Sequence, residues 1–189
     1  MTETLYYTNQ NDPDYTQLLI TAHFHQRTLT TTPINPKYPS TNLVTPEGII
    51  SQPNAIMLYL AKCQPAPIEF YEWLEFSNIE LRPLLQEIYG QIHNTRTPNQ
   101  EKYQYSVVEL LRVLETLNNH LKIRTFFVGD SLGCVDISLA CHLDLAFKYA
   151  LIKNRSVISE ETRKKVPHLL RWLRFVRNTP PFVEVLGPL

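Results

Sequence analysis

Residues 48–60, GIISQPNAIMLYL, decide the fold because their pattern predicts a strand that runs directly into a helix. The β-branched GIIS at 48–51 is typical of a short strand. The following PNAIMLYL predicts a helix that Pro53 opens, since the first helical position needs no backbone N–H. Just upstream, LVTPEGII at 43–50 has the pattern of a hairpin with a Pro-Glu-Gly turn. A hairpin followed at once by a helix is typical of the end of an α/β unit.

The residues before the hairpin complete this unit. TLYYT at 4–8 and RTLTTT at 27–32 favour strands, and Asp12 caps a helix predicted between them. Only six residues, 33–38, lie between the second strand and Pro39. At a rise of about 1.5 Å per residue they are too short for a helix of roughly ten residues. We therefore expect residues 1–63 to form a thioredoxin-like domain that lacks its second helix.

The rest of the chain has a different pattern. CQPAP at 63–67 predicts a linker, because its prolines interrupt regular structure. Residues 68–189 predict an all-helical domain that begins with a helix at 68–89, kinked at Pro83. The apolar stretch DISLACHLDLAFKYAL at 136–151 predicts the buried central helix of the bundle. The fold class is thus α/β plus all-α, with a reduced thioredoxin-like domain followed by a helical bundle.

Composition excludes several classes of function. The 18 basic and 18 acidic residues cancel, so a global field that draws the protein to nucleic acid or to a membrane is not expected. No apolar run is long enough to span a bilayer, and the first residues lack a signal-peptide pattern. An odd number of cysteines without CxxC spacing indicates reduced thiols in the cytoplasm. The cysteines are Cys63, Cys134 and Cys141.

The remaining candidate chemistries are weak. Five scattered glycines form no phosphate-binding loop. His23 and His25 lie two apart on a predicted helix and would point to different faces, so no metal site is expected. His142 lies on the most apolar helix, where a hydrogen-bonded core histidine is the simpler interpretation. Cys134 and Cys141 are interpreted as buried structural residues.

Several phrases resemble the glutathione transferase family. RTFFVGDSLGCVDISLA at 124–140 resembles the stretch that leads into the family's buried helix, and SQPNAIMLYL at 51–60 resembles its strand–helix joint. INPKYPS at 34–40 resembles a shortened form of its proline loop. PHLLRWLRFVRNTPPFVEVLG at 167–187 is most similar to the N-terminal domains of elongation factor 1 gamma subunits. The resemblance spans nearly the whole chain and implies the same two-domain fold.

The resemblance also identifies the positions of a glutathione site. Tyr6 or Tyr7 would supply the hydroxyl that stabilises a thiolate, and Pro39 would follow a cis peptide bond. At the joint the family has a Glu-Ser pair, which here is replaced by Gln52 and Pro53. Proline offers neither a hydroxyl nor an N–H to an anion. With the second helix also missing, we expect a degenerate site, no catalytic residue and no cofactor.

A structural motif is implied where the buried helix begins. In the family, an Asp three residues after the N-cap returns a hydrogen bond to the backbone, which forms a capping box. Asp136 holds that position, and Gly133 replaces the usual Ser or Thr at the cap.

Two charged surfaces are candidates for binding a partner. Arg171, Arg174 and Arg177 recur every third residue beside an apolar stripe, and arginine pairs well with carboxylates. Helix 68–89 carries several glutamates, among them Glu69 and Glu72, at the place that borders the two-fold interface of the family. An ordinary solvated helix face explains the arginines equally well. The acidic charge favours a basic partner, although a homodimer stays open.

Three functions follow as hypotheses. The first is a non-catalytic scaffold that docks the nucleotide-exchange subunit of elongation factor 1. The second is a docking domain in an assembly of aminoacyl-tRNA synthetases, and the third is a glutathione-dependent transferase. In the first two the partner is a protein, with no membrane and no direct nucleic acid contact expected.

Overall fold

The computed structural model describes residues 3–10, 12–62, 67–152 and 158–188. The strands are β1 (Thr4–Tyr7), β2 (Thr30–Pro33), β3 (Asn42–Thr45) and β4 (Gly48–Ser51). The helices are α1 (Pro13–Phe24), α2 (Pro53–Leu60), α3 (Ile68–Phe76), α4 (Arg82–Ile92), α5 (Gln100–His120), α6 (Cys134–Ile152), α7 (Glu160–Lys165), α8 (Pro167–Arg177) and α9 (Pro180–Leu186). A π-helical turn, Ser77–Leu81, joins α3 to α4.

Internal contacts divide the chain into two compact units. The first contains Met1–Pro67 together with Arg177–Leu189, and the second contains Ile68–Val176. The sequence grouped the last residues with the helical half, whereas α9 packs on α1 of the first unit. The predicted division at 63–68 stays a prediction, since residues 63–66 lie outside the described part of the chain.

The first unit is built on a four-stranded mixed sheet in the order β2-β1-β3-β4. β1 runs parallel to β2 and antiparallel to β3, and β3 forms the expected hairpin with β4. Leu5 on β1 lies opposite Leu43 on β3, and both are fully buried. Helices α1 and α2 pack against each other, and this confirms the thioredoxin-like order.

The second thioredoxin-like helix is missing, as expected. Residues 34–41, all described, form a tight turn in which Asn35 and Tyr38 exchange backbone hydrogen bonds of 3.1 and 2.9 Å. The Asn35 side chain stabilises this turn by accepting from the backbone N–H of Lys37 at 3.0 Å. The chain therefore passes from β2 to β3 by the short route that the segment length dictates.

The second unit is a helical bundle around α6. The side chains described in the first half of α6 are buried almost without exception, in agreement with its apolar sequence. Leu110, Leu114 and Leu117 form the buried stripe of α5 that the leucine spacing indicates. His142 is buried and its Nδ1 donates to Ser138 O at 2.8 Å, which makes it the hydrogen-bonded core histidine expected from sequence.

The predicted kink near Pro83 takes the form of the π-helical turn. The N–H of Arg82 donates to Ser77 O, five residues back instead of four. Pro83 has no N–H, and its ring clashes with the carbonyl four residues earlier in a regular helix. The wider turn that ends just before Pro83 accommodates the proline without breaking the helix.

Candidate functional site

The strand–helix joint of the first unit holds two of the positions implied by the resemblance. Gln52 caps α2 with φ 76° and ψ 121°, and its side chain makes no capping hydrogen bond. A non-glycine residue with positive φ is strained, by about 1–3 kcal/mol. Pro53 restricts Gln52 further to the extended ψ that is observed. The helix start therefore has neither a carboxylate nor a hydroxyl nor an N–H at the first helical position.

One buried side-chain donor of α2 lies at this joint without a partner in the described part of the chain. Asn54 Nδ2 is buried and has no hydrogen-bond partner among the described residues. A water molecule or an acceptor group of a ligand can satisfy it. The joint thus retains one polar group of a binding site but has lost the charge pattern that holds an anion.

The two tyrosines lie on opposite faces of β1 and are both partly exposed. Tyr6 packs its ring on Tyr38 of the short turn, with centroids 4.3 Å apart. Tyr7 packs on Tyr15 of α1, and its hydroxyl accepts a hydrogen bond from Gln10 Nε2 at 2.9 Å. The Tyr7 hydroxyl is thus engaged by a neutral amide in a local contact.

The cis peptide bond that the resemblance implied before Pro39 is not found, and this corrects the expectation. None of the described peptide bonds is cis, so the bond before Pro39 is trans. The tight Asn35–Tyr38 turn replaces the longer loop of the family, and Pro39 is exposed at its end.

Asp136 organises the start of the buried helix. Its Oδ2 accepts from Gly133 N at 3.2 Å, and its Oδ1 accepts from Phe127 N at 3.1 Å and from Trp172 Nε1 at 2.8 Å. Burial raises the pKa of Asp136 to about 6, because desolvation of the carboxylate outweighs these three hydrogen bonds. The carboxyl thus ties the loop, the cap and α8 together, which is a structural role.

The arginines of α8 have unequal roles. Arg177 is fully buried and donates to Phe182 O and Gly187 O at 3.4 and 3.3 Å, so it is not a surface residue that could meet a partner. The prediction of Arg177 as a partner-binding residue is therefore wrong. It rested on the three-residue spacing along α8, which does not take into account that the chain bends after α8. Arg174 is exposed. Arg171 is exposed and donates to Leu121 O and Arg124 O.

Arg171 borders a cavity of about 490 Å³ on the second unit, which we call the basic groove. One wall is the segment after α5 and the other is α8. The lining residues are Lys122, Ile123, Arg124, Thr125, Arg171, Trp172 and Phe175. Sequence analysis missed the contribution of the segment 122–125, although an isoleucine between two basic residues in a predicted loop is a usable signal.

The acidic face of α3 lies on the same unit. Glu69 forms an ion pair with Arg124 of the basic groove, whereas Glu72 is exposed. Two large apolar side chains of this segment are exposed, Ile68 at the start of α3 at 87% and Ile79 in the π-helical turn at 63%. The segment therefore combines negative charge with uncovered apolar area, which is typical of a surface that meets another protein.

Metal and membrane chemistry find no support in the described residues. No group of three or more His, Cys, Asp or Glu side chains there could hold a metal ion. None of the described helices is long and apolar enough to cross a bilayer. Cys134 and Cys141 are buried and not disulfide-bonded, while Cys63 lies outside the described residues.

Comparison with known proteins defines the class. Residues 70–180 match the family model of the glutathione S-transferase C-terminal domain, and the chain belongs to that family. The fold agrees: glutathione transferase URE2P6 from Phanerochaete chrysosporium, solved with oxidized glutathione, superposes with a TM-score of 0.84. That likeness covers 97% of this chain and 94% of the other at 18% identity, so it concerns the fold alone.

The curated relatives named here are an elongation factor subunit and an aminoacyl-tRNA ligase. Probable elongation factor 1-gamma 1 of Arabidopsis thaliana is 28% identical over 155 residues, which is 77% of this chain and 36% of the relative. A valine–tRNA ligase of Takifugu rubripes is 32% identical over 119 residues, covering 63% of this chain and 9% of the ligase. The chain thus spans about a third, or much less, of the length of these relatives.

Proposed function

We propose that this chain is a non-catalytic, cytoplasmic scaffold of an elongation factor 1 complex and that it docks the nucleotide-exchange subunit through protein–protein contacts. Its similarity to elongation factor 1-gamma proteins over most of its length supports a role in translation. Because the match covers about a third of those proteins, the role concerns the part that this chain represents. No cofactor takes part.

The observation that carries the non-catalytic half of the proposal is the joint at Gln52 and Pro53. A transferase site there needs groups that hold the charged end of glutathione and a donor that activates the thiol. Pro53 has no N–H to donate and Gln52 carries no charge, so the joint lacks the donor and the charge that would hold that end of glutathione. A transferase acting on glutathione is therefore the less favoured function.

A docking domain in an assembly of aminoacyl-tRNA synthetases is the second candidate. The observation that favours it is the 32% identity to part of a valine–tRNA ligase. Both candidates use the chain as a protein-binding module, so the partner recovered from cells decides between them.

The deciding experiment is purification of the tagged protein from its own cells, followed by mass spectrometry of stoichiometric partners. Recovery of the exchange subunit supports the scaffold, and recovery of synthetases supports the second candidate. A lone protein that turns over chlorodinitrobenzene with glutathione would contradict both and restore the transferase hypothesis.

Self-association through the acidic face is a competing form of docking. In a two-fold dimer Glu72 and its neighbours would face their own copies, and like charges in contact disfavour binding. We therefore propose that this face meets a basic partner. Sedimentation velocity tests this: a stable dimer at low salt would contradict it, because weak screening makes the repulsion strongest there.

A further inference from the structure

We infer that the basic groove binds a segment of a partner protein that carries an acidic residue next to a large apolar side chain. The inference rests on the proposed docking function and names the chemistry of the segment that docks. It is carried by the cations and the exposed apolar side chains that meet in one cavity of about 490 Å³.

The cations of the groove are arranged for a carboxylate. Arg171 donates through one nitrogen to Leu121 O at 2.9 Å and to Arg124 O at 3.2 Å, and these bonds hold its side chain in place. A guanidinium has five N–H donors, so others remain for a ligand. Because Arg171 is already held, less conformational entropy is lost when a carboxylate binds. Lys122 adds a second exposed positive charge beside it.

The apolar part of the groove is unusually exposed. Ile123 is 88% and Phe175 is 53% accessible to solvent. Phe175 is kept in place by an edge contact with Phe126, with ring centroids 5.9 Å apart. Trp172 lies beneath, buried and hydrogen-bonded to Asp136, so the wall it forms is rigid. Large apolar residues next to arginine are the composition of protein-binding hot spots.

The charge of the groove favours a peptide over a nucleic acid. Arg124 is already paired with Glu69, which leaves one carboxylate at the rim of the groove. That carboxylate repels a polyanion, whereas a single acidic side chain can approach Arg171 and Lys122. Phe175 is the one exposed aromatic ring among the lining residues, since Trp172 is buried, so successive bases find no row of rings on which to stack. We therefore commit to an acidic and apolar protein segment as the occupant.

The test measures direct binding by fluorescence anisotropy. The probe is a fluorescein-labelled peptide that alternates Glu with Leu and Phe. Two matched peptides replace Glu by Lys, or Leu and Phe by Ser, and a single-stranded RNA oligonucleotide is the fourth probe. The proteins are the wild type, Lys122→Glu and Phe175→Ser, with Lys164→Glu and Val108→Ser as controls at exposed positions of the same unit. Circular dichroism verifies that each variant is folded.

The expected result is binding of the Glu, Leu and Phe peptide to the wild type and both controls. Lys122→Glu and Phe175→Ser should each weaken it about tenfold, since one repels the acid and the other removes the apolar anchor. Equal binding to the groove variants, equal binding of the Lys peptide, or no measurable binding would overturn the inference. Tighter binding of the RNA to the same residues would overturn it as well.

The same variants separate this inference from the proposed function. If the exchange subunit co-purifies equally with the wild type and with Phe175→Ser, the scaffold function stands and the groove is not its docking site. If the groove variants alone lose a partner of another kind, the groove inference stands and the scaffold function falls.

Discussion

At the scale of single residues, the buried carboxyl of Asp136 makes the stability of the protein depend on pH. A raised pKa means that the folded state binds the proton more tightly than the unfolded chain, whose carboxyl titrates near 3.8. The contribution of Asp136 to stability is therefore fully present below about pH 4 and is lost as the pH rises through about 6. The rise to about 6 corresponds to about 3 kcal/mol of unfolding free energy over that interval.

The first prediction compares Asp136→Asn with the wild type in urea unfolding at pH 4.5 and 7.5. The Asn variant should lose less stability between these two values, because its side chain does not titrate. His25 and His120 have pKa values lowered mainly by burial, and they change stability in the opposite sense in both proteins. The difference between the two proteins therefore isolates Asp136. An identical pH dependence would contradict the prediction.

The second prediction concerns the strain at Gln52. Glycine adopts positive φ readily, so Gln52→Gly should raise the free energy of unfolding by about 1 kcal/mol. Gln52→Ala keeps the strain and serves as the control, since both variants remove the same exposed side chain. Urea midpoints measured at constant pH decide it. A glycine variant no more stable than the alanine variant would show that the backbone there is not strained.

The third prediction tests the correction at Arg177. Arg177→Ala removes the donor that reaches the buried Phe182 carbonyl and the partly buried Gly187 carbonyl, and should cost about 2–4 kcal/mol. Arg174→Ala changes an exposed side chain and should stay within about 0.5 kcal/mol of the wild type. Thermal unfolding of both variants provides the measurement. Equal losses would mean that the buried contacts of Arg177 are not what stabilises the chain end.

At the scale of helices and strands, the start of α6 is incompletely capped. Gly133 satisfies no donor with a side chain, and a Cβ added there would meet nothing within 4 Å. Gly133→Ser should therefore complete the capping box with Asp136 and add about 0.5 kcal/mol to the unfolding free energy. Gly129→Ser, where φ is 66°, should instead destabilise. If Gly133→Ser also destabilised the protein, the open space at the cap would be the wrong explanation.

Regular elements were the part of the structure that the sequence predicted well. Leucine spacing placed α5 and apolar content placed α6, because burial of one face or of the whole helix leaves a local pattern. The role of Arg177 and the loop side of the basic groove were not predictable in this way. Both depend on residues brought together by the fold, Arg177 with Gly187 and Ile123 with Phe175. The missing charge of Gln52 and the missing N–H of Pro53 could be predicted because they depend on the residue types alone. That the site is degenerate stays a prediction.

At the scale of the whole molecule, glutathione binding can be tested by its effect on stability. A ligand at one hundred times its dissociation constant stabilises the folded state by about 2.7 kcal/mol, which raises the melting temperature by several degrees. We expect 10 mM reduced glutathione to raise it by less than about 1 °C. Differential scanning fluorimetry measures this directly. A clear upward shift that Pro53→Ser increases further would contradict the proposal of an abandoned site.

The π-helical turn has a consequence for the angular phase of the helix pair it joins. One extra residue in a turn rotates everything on one side by about 100° relative to the other. Removing a single residue from Ser77–Leu81 would therefore turn the face with Glu72 away from its present direction. It would also carry Trp73 off the rings of His120 and Phe127, which now lie 4.3 and 5.1 Å from it. The direction of the acidic face is thus set by the length of one turn.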